Sequence, residues 1–316
     1  MAMMKLQCLS HTPLMGLHDP SPQTLQAAHQ ALELLRLGLE EFDPELIILF
    51  APDHFNGFFY DLMPSFCVGV TAESIGDYAT ARGALQVPAE IAEACAQTIL
   101  DHDVDCAISY RMKLDHGFAQ PLELLTGALA RYPVVPIFIN SVAVPLPRFQ
   151  RVRLLGHAVG IFAKTLNRRV LFMASGGLSH NPPVPTLASS TPEVIERLIA
   201  GRNPTAQART ERQSKTISAA IEFAAGSSSL TPLNPLWDRK FLATLESGNL
   251  QAFDAMSNAE VTEVAGASAH EVKCWVAANA AMAAATGGRY AARADYYEAI
   301  PEWIAGFATM QGNELD

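Results

Sequence analysis

The fold class is decided by residues 46–50, where the sequence LIILF forms a short and uninterrupted apolar run. Comparable runs stand at residues 6–9, 106–110, 134–139 and 170–174, and most of them consist of Ile, Val, Leu and Phe without alternating polar residues. Strands of this composition are typical of a sheet that is buried on both faces. The runs therefore predict an α/β fold in which helices cover a central sheet.

Patterns typical of amphipathic helices lie between the apolar runs. The first covers residues 23–42, in which leucine and alanine recur at spacings of three and four along one face. Other helices are predicted at residues 88–101, 121–132 and 151–166, and after residue 180 at residues 206–225, 235–246, 249–256 and 269–285. We therefore predict one domain, residues 1–316, with a central sheet covered by helices on both faces and a mainly helical C-terminal part.

The composition narrows the class of protein. With 316 residues, of which 49% are hydrophobic and 17% charged, the chain is not of the disordered type. The formal net charge of -10 argues against a nucleic-acid partner. The five cysteines form no CxxC pair, so we expect no structural zinc or disulfides and a cytoplasmic location. We find no signal-peptide-like segment at the start and no apolar run of about 18 residues, so no membrane partner is expected.

Four histidines share one context along the chain. His11, His54, His116 and His180 each come shortly after a predicted strand. Ligands of α/β proteins bind at the carboxyl edge of the sheet, where the loops that follow the strands converge. A single loop histidine is usually solvated or capping, but the shared placement of these four favours a common site. The histidines on predicted helices are interpreted as surface residues.

Common catalytic motifs are missing, which restricts the chemistry of this site. The sequence HEVKC at residues 270–274 breaks the HExxH zinc motif at its last position, and neither the GxSxG elbow nor the Gly-rich phosphate loops occur. What remains is a ferrous ion held by two histidines and one carboxylate, with open positions for a chelating substrate and O₂.

The residues alone leave the carboxylate open between Glu271, Asp53 and Asp115. Ser268 and Glu271 fit a capping box, in which the glutamate folds back onto the start of its own helix, and this structural role is slightly favoured for Glu271. Asp53 and Asp115 each adjoin a histidine, and either could hydrogen-bond a turn or orient the neighbouring imidazole instead of binding a metal.

Four motifs together resemble the class III extradiol ring-cleaving dioxygenases, the superfamily of the protocatechuate 4,5-dioxygenase β subunit. They are SHTP at residues 10–13, APDHFNGFFY at residues 51–60, DHGFAQP at residues 115–121 and SGGLSH at residues 175–180. The resemblance extends over nearly the whole chain, through PEWIAGF at residues 301–307. No motif is specific alone, but the four together are.

The resemblance implies an enzyme that uses Fe(2+) to cleave a catechol with O₂. His11, His54 and Glu271 are implied as the iron ligands, which for Glu271 replaces the capping-box role. The implied substrates are 3-(2,3-dihydroxyphenyl)propionate and 2,3-dihydroxycinnamate, cleaved at the extradiol position in bacterial phenylpropanoid catabolism. The implied assembly is a homo-oligomer, a homotetramer or larger.

The resemblance also implies an acid–base pair beside the metal. His116 is implied as the proton donor and His180 as the proton acceptor. Asp115 and Pro182 match residues that support those two histidines.

Three alternatives stay open at this stage: an extradiol dioxygenase for another catechol, a metal-dependent hydrolase, and a binding protein on the same scaffold. The presence of both His116 and His180 argues against the binding protein, which has no need of an acid–base pair. For binding of a side-chain carboxylate, Arg111 and Lys113 lie near His116 in sequence, but a solvated loop charge is the preferred interpretation of both.

Overall fold

The computed structural model describes residues 3–315, which form eleven strands and nine α-helices with three short 3₁₀ segments. The strands are β1 (Met3–Leu9), β2 (Leu46–Ala51), β3 (Phe66–Gly69), β4 (Ala72–Ile75), β5 (Arg82–Ala84), β6 (Ala107–Ser109), β7 (Met112–Leu114), β8 (Val134–Ile139), β9 (Arg169–Ser175), β10 (Tyr290–Ile300) and β11 (Ala305–Glu314). The helices are α1 (Pro22–Phe42), α2 (Ala89–Asp101), α3 (His116–Thr126), α4 (Phe149–Thr165), α5 (Pro192–Ala200), α6 (Ala206–Ala224), α7 (Pro235–Glu246), α8 (Asn258–Ala265) and α9 (Val272–Thr286). The 3₁₀ segments are Leu250–Ala255, Ala269–Glu271 and Pro301–Trp303.

The strands form a central sheet and a small one. The central sheet has eight strands in the order β10-β11-β1-β9-β2-β8-β3-β6, and the small sheet has the order β5-β4-β7. Strands β1, β9, β2 and β8 are mutually parallel, whereas β11 and β3 pair antiparallel with β1 and β8 at either side of them. The carboxyl ends of the four parallel strands therefore meet at one edge of the sheet.

Helices cover both faces of the central sheet, as the apolar runs predict. In β2, Ile48 and Phe50 belong to the hydrophobic cluster beneath α4 and α9, and Ile47 and Leu49 belong to the cluster beneath α1 and α3. All six residues of β2 are buried. Alternating side chains of one strand thus enter two separate layers, which is why the run is apolar throughout.

The sequence of helix α1 explains both where the helix begins and which face is buried. Its N-cap Ser21 accepts a hydrogen bond from the backbone N–H of Thr24, and Pro22 occupies the first helical position. Four residues of the predicted apolar stripe are buried against the sheet: Ala28, Leu32, Leu35 and Leu39. The helix predicted from periodicity at residues 23–42 is therefore confirmed.

Helices α4 and α9 pack together closely on the opposite face. A Cβ atom on Gly156 would overlap the carbonyl oxygen of Ala277, and one on Gly160 would overlap that of Ala281. The two glycines therefore allow the backbones to approach. This contact holds α9 against the sheet, and with it the segment that precedes α9 in the chain.

Three predicted elements differ from the structure. The helix expected at residues 121–132 begins at His116 and ends at Thr126, because the Asp115 side chain caps it and Gly127 leaves it in the left-handed conformation. The strand expected at residues 106–110 is only Ala107–Ser109, at the sheet edge. The C-terminal part is helical from α5 to α9 as predicted, but it ends in the β10–β11 hairpin.

Within residues 3–315, no helix combines the length and the apolar character that crossing a membrane requires. That residues 1–316 form one domain stays a prediction.

Candidate metal centre and active site

The four predicted histidines converge at the carboxyl edge of the central sheet. His11 and His54 follow β1 and β2, and His180 follows β9, which lies between those two strands. His116 enters from another direction, because it follows β7 of the small sheet and opens α3. The ring centroids of His11 and His54 are 5.4 Å apart, those of His11 and His116 5.3 Å, and those of His54 and His116 4.5 Å.

Glu271 lies among these histidines. It is the last residue of the 3₁₀ segment before α9 and is buried. Its Oε1 is 3.0 Å from His54 Nε2 and 3.2 Å from His180 Nε2, and its Oε2 is 3.6 Å from His11 Nε2. The capping-box prediction for Glu271 is wrong, because the Ser268 side chain forms no capping hydrogen bond.

Each of three groups, His11, His54 and Glu271, also contacts a second partner that fixes its orientation. The backbone N–H of Gly177 donates to Glu271 Oε2 at 3.0 Å. His54 Nδ1 donates to Asp115 Oδ2 at 2.9 Å, and His11 Nδ1 pairs with Ser175 Oγ at 2.9 Å. These contacts leave both Nε2 atoms and the carboxylate facing one common point.

This donor set fits a divalent metal ion. Two imidazole lone pairs and an anionic carboxylate that face each other repel unless a cation or protons lie between them. Two histidines and one carboxylate, with other positions open, form the ligand set of non-haem ferrous oxygenases. His116 also has a ring nitrogen within 4.8 Å of ring nitrogens of His11 and His54. The negative charge of Glu271 favours it over His116 as the third ligand.

The electrostatics of His11 and Glu271 agree with that fit, whereas a metal ion would have to displace a proton from His54. Burial lowers the pKa of His11 to about 3, so its ring is neutral and keeps a lone pair. Burial raises the pKa of Glu271, but His180 and His11 outweigh this and bring it well below its usual value. For His54, burial lowers the pKa, but Asp115 and Glu271 outweigh burial and raise it.

His180 is fixed by the backbone of its own loop. Its Nδ1 donates to the carbonyl oxygen of Leu178 at 2.8 Å, so in the neutral ring Nε2 carries the lone pair. Burial lowers the pKa of His180, but Glu271 raises it more. A cation held by Glu271 would cancel this attraction. Pro182, two residues on, lines the same cavity.

The loop of His180 is anchored by a residue that the sequence analysis missed. Asp238 in α7 accepts hydrogen bonds from the backbone N–H and the hydroxyl of Ser179, both at 2.7 Å. The hydroxyl of Tyr297 in β10 donates to the same carboxylate at 2.8 Å. Asp238 thus connects α7 and β10 to the loop of His180. No local sequence motif indicates this role of Asp238.

His116 is held by a second missed residue, Asp77. The Nδ1 of His116 donates to Asp77 Oδ2 at 2.6 Å, and both side chains are buried. Asp77 lies in the turn after β4, and the next residue, Tyr78, packs edge-on against His116 with ring centroids 4.9 Å apart. A polar turn after a short strand in the sequence ESIGDY is the only signal that could have found it.

The two aspartates beside the histidines have structural roles. Asp115 caps α3 and accepts hydrogen bonds from the backbone N–H and Nδ1 of His54. Asp53 accepts the backbone N–H groups of Asn56 and Gly57 at 3.0 and 2.8 Å and so forms a turn. Burial, followed by the charge of Asp115, raises the pKa of Asp53 to about 7. Neither carboxylate takes the place of Glu271.

The site opens into a cavity of about 460 Å³, a size suited to a small aromatic substrate. Helices α5 and α6 line this cavity and contribute three arginines to its wall: Arg197, Arg209 and Arg212. The two cations considered from sequence do not line it. Arg111 is exposed in a turn, in agreement with its interpretation as a loop charge, whereas Lys113 lies in β7 and pairs with Glu73 at 2.7 Å.

Comparison with known proteins agrees with this geometry. Residues 5–308 match the family described as the catalytic LigB subunit of aromatic ring-opening dioxygenase. The chain is 56% identical over 308 residues to a protein of Dechloromonas aromatica named 2,3-dihydroxyphenylpropionate/2,3-dihydroxicinnamic acid 1,2-dioxygenase 2, covering 98% of this chain and 97% of that protein. It is 55% identical over 309 residues to a Paraburkholderia phymatum protein named 2,3-dihydroxyphenylpropionate/2,3-dihydroxicinnamic acid 1,2-dioxygenase, covering 98% and 97% of the two.

A solved structure is similar in fold alone. The uncharacterised protein JW3007 of Escherichia coli K12 aligns with a TM-score of 0.51 at 13% identity, covering 98% of this chain and 99% of that chain. The family match and the sequence identities over almost the full length show the class of enzyme as well as the fold. They exclude the hydrolase and the binding protein left open by the sequence. This chain belongs to the family of catalytic LigB subunits of aromatic ring-opening dioxygenases, and it is an extradiol ring-cleaving dioxygenase.

Proposed function

We propose that this chain uses Fe(II) to cleave 3-(2,3-dihydroxyphenyl)propionate and 2,3-dihydroxycinnamate. The expected products are 2-hydroxy-6-oxonona-2,4-dienedioate and its triene analogue. The observation that carries the proposal is the convergence of Glu271 with His11 and His54 beside the further histidines His116 and His180. The names of the similar proteins support the choice of substrate.

His11, His54 and Glu271 are the proposed iron ligands. Two neutral nitrogens and one carboxylate leave a dication with net positive charge, which favours an anionic chelating substrate. When bound, ferrous iron would hold the catechol oxygens and O₂ next to each other and supply the redox chemistry of ring opening. The chain's part is to keep the ligands fixed, which the contacts from Ser175, Asp115 and Gly177 provide.

His180 is the proposed proton acceptor. The carbonyl of Leu178 holds the proton on Nδ1, so Nε2 is the atom free to take a proton from a catechol hydroxyl. Chelation requires the loss of at least one hydroxyl proton, and an imidazole nitrogen with a lone pair can take up that proton. Pro182 supports this role by shaping the loop that follows His180.

His116 is the proposed proton donor. The Asp77 carboxylate accepts the Nδ1 proton at 2.6 Å and so fixes the orientation of the ring. The remaining Nε2–H can then pass its proton to a substrate oxygen as the ring opens. Asp115 supports this histidine by capping the helix that begins with it.

The proposal is tested by anaerobic reconstitution with Fe(II), followed by addition of the catechol in air. We expect uptake of O₂ together with a yellow ring-fission product, and no product from protein loaded with Zn(II). Catechol without the side chain, and catechols with other side chains, would reveal a different preferred substrate. Uptake of O₂ without a ring-fission product, or cleavage between the two hydroxyls, would refute the extradiol assignment.

Two further statements stay predictions. The homo-oligomer, a homotetramer or larger, would be measured by light scattering of the purified protein. The cytoplasmic location agrees with five cysteines that are all free thiols.

A further inference from the structure

One wall of the cavity carries arginines that form no ion pair with any carboxylate of the described residues. Arg197 of α5 and Arg209 and Arg212 of α6 line the cavity and are half-buried. Within residues 3–315, none of the three forms an ion pair, whereas Arg153 and Arg202 outside the cavity pair with aspartates. Charges held in a partly desolvated cavity without a counter-ion favour an anionic ligand.

Arg212 lies beside the candidate metal centre. Its Nη2 donates one long hydrogen bond, 3.4 Å, to Asn56 Oδ1. Asn56 in turn donates to Asp115 Oδ2 at 3.0 Å, and the same oxygen holds His54. The guanidinium is therefore separated from the partner of His54 by one side chain. Most of its N–H donors have no acceptor among the described residues.

Neighbouring groups do not satisfy Arg212. Burial, and then the charge of Arg197, lower the pKa of Arg212, while Tyr78 and Asp77 act in the opposite direction. The Asp77 carboxylate is already bonded to His116 at 2.6 Å. An anion from outside the chain would relieve both the burial and the repulsion between the two arginines.

Arg209, on the same helix as Arg212, also has an N–H donor without an acceptor among the described residues. Its Nη1 donates to the carbonyl oxygens of Ile75 and Gly76, both at 3.3 Å, and so holds the turn that carries Asp77. Its Nε is buried and has no hydrogen-bond partner within residues 3–315. Arg209 therefore adds positive charge and an unused donor to this wall.

We propose that Arg212, assisted by the charges of Arg197 and Arg209, binds the side-chain carboxylate of the substrate. The inference rests on the proposed function, because it assigns the far end of the same substrate. The catechol oxygens would lie at the histidines, and the carboxylate would lie against α6. The planar guanidinium offers parallel N–H donors that match the two oxygens of a carboxylate. Arg212 would thus select acid-bearing catechols over neutral ones.

The kinetic test compares an acid with a neutral substrate of similar shape. Wild type, Arg212→Met, Arg212→Lys and the surface control Arg36→Met are assayed with 3-(2,3-dihydroxyphenyl)propionate and with 3-propylcatechol. For Arg212→Met we expect the ratio of kcat/KM, acid over neutral, to fall by about 10- to 100-fold through KM, since a hydrogen bond to a charged group is lost. Arg212→Lys should recover part of the ratio, and Arg36→Met should keep all of it.

A binding measurement separates this inference from the proposed function. 3-Phenylpropionate has the carboxylate but no hydroxyls, so its binding to metal-free protein by calorimetry requires neither iron nor O₂. We expect Arg212→Met to weaken it by a similar factor. Binding and selectivity that are unchanged, or equal losses for the acid and the neutral catechol, would overturn the assignment. If wild type cleaves neither catechol, the proposed function fails, while weaker binding of 3-phenylpropionate to Arg212→Met still supports the carboxylate site.

Discussion

The substitution Asp115→Asn tests how the candidate metal centre is held together. The Asp115 carboxylate is completely buried and accepts four hydrogen bonds. One oxygen accepts the N–H of Gly117 at 2.9 Å, and the other accepts the backbone N–H of His54 at 2.8 Å, its Nδ1–H at 2.9 Å and the amide of Asn56 at 3.0 Å. An amide has one acceptor oxygen, so its NH₂ must face at least one of these donors.

The least costly orientation of the new amide group sets the expected losses in stability and in metal affinity. If the new NH₂ faces Gly117, the helix cap is lost and a buried N–H stays unpaired, which costs about 1–3 kcal/mol of the free energy of unfolding. His54 then donates to a neutral oxygen, and a charge-assisted bond is about twice as strong as a neutral one. A ligand with a weakened second partner binds its metal about 10- to 100-fold less tightly. We expect the Fe(II) dissociation constant of Asp115→Asn to rise by that factor.

The assay is anaerobic Fe(II) titration of the variant beside Asp77→Asn. Asp77 makes a similar buried contact, 2.6 Å long, but to His116 and not to a proposed ligand. We therefore expect Asp77→Asn to keep its iron affinity and to lose turnover. Wild-type iron affinity in Asp115→Asn would refute the reasoning. Equal losses of iron in both variants would make His116 a ligand in place of a proton donor.

Three further predictions follow from the contacts described above. His116→Ala and His180→Ala should each keep iron and lose about 10²- to 10⁴-fold in kcat, and turnover at the wild-type level would remove either one from acid–base chemistry. Glu271→Ala should lose iron in metal analysis, and a full complement would show that the third ligand is another group. Gly156→Ala should lower the free energy of unfolding by about 1–3 kcal/mol in denaturant titration, because its Cβ would overlap the carbonyl oxygen of Ala277; an unchanged midpoint would contradict the packing.

The layered fold could be predicted because its signal is local. A strand buried on both faces needs an apolar side chain at every position, and β2 has this in six successive residues. The apolar stripe of α1 is an equally local signal, because its residues recur at helical spacing. The β10–β11 hairpin could not be predicted because its strands carry mixed residues, such as the stretch RADYYEA at 293–299, and because β11 pairs with β1 across nearly the whole chain. Pairing over such a separation leaves no periodic pattern.

The histidines of the site could be predicted, and their partners could not. His11, His54 and His180 follow apolar strands directly, so their placement is a property of neighbouring residues. Asp77 and Asp238 act on side chains that are distant in sequence, and neither stands in a motif. Their roles arise only when the small sheet and α7 pack against the central sheet.

Glu271 shows how a local rule can fail where a tertiary contact is stronger. The spacing from Ser268 satisfies the capping box, which is worth about 1 kcal/mol. In the structure the carboxylate lies instead within 3.6 Å of three imidazole rings and accepts the N–H of Gly177 at 3.0 Å. A buried carboxylate without such partners would cost several kcal/mol, so turning toward the histidines wins over capping.

The two histidines outside the proposed ligand set differ mainly in what faces Nδ1. A neutral carbonyl, that of Leu178, faces His180, whereas an anionic carboxylate, that of Asp77, faces His116. The carbonyl fixes the tautomer of His180, and the carboxylate fixes the ring orientation of His116. In the proposed mechanism these two side chains have opposite tasks, one to take a proton from the catechol and the other to return one. In that mechanism the two Nδ1 partners, the Asp77 carboxylate and the Leu178 carbonyl, would set the direction of proton transfer across the site.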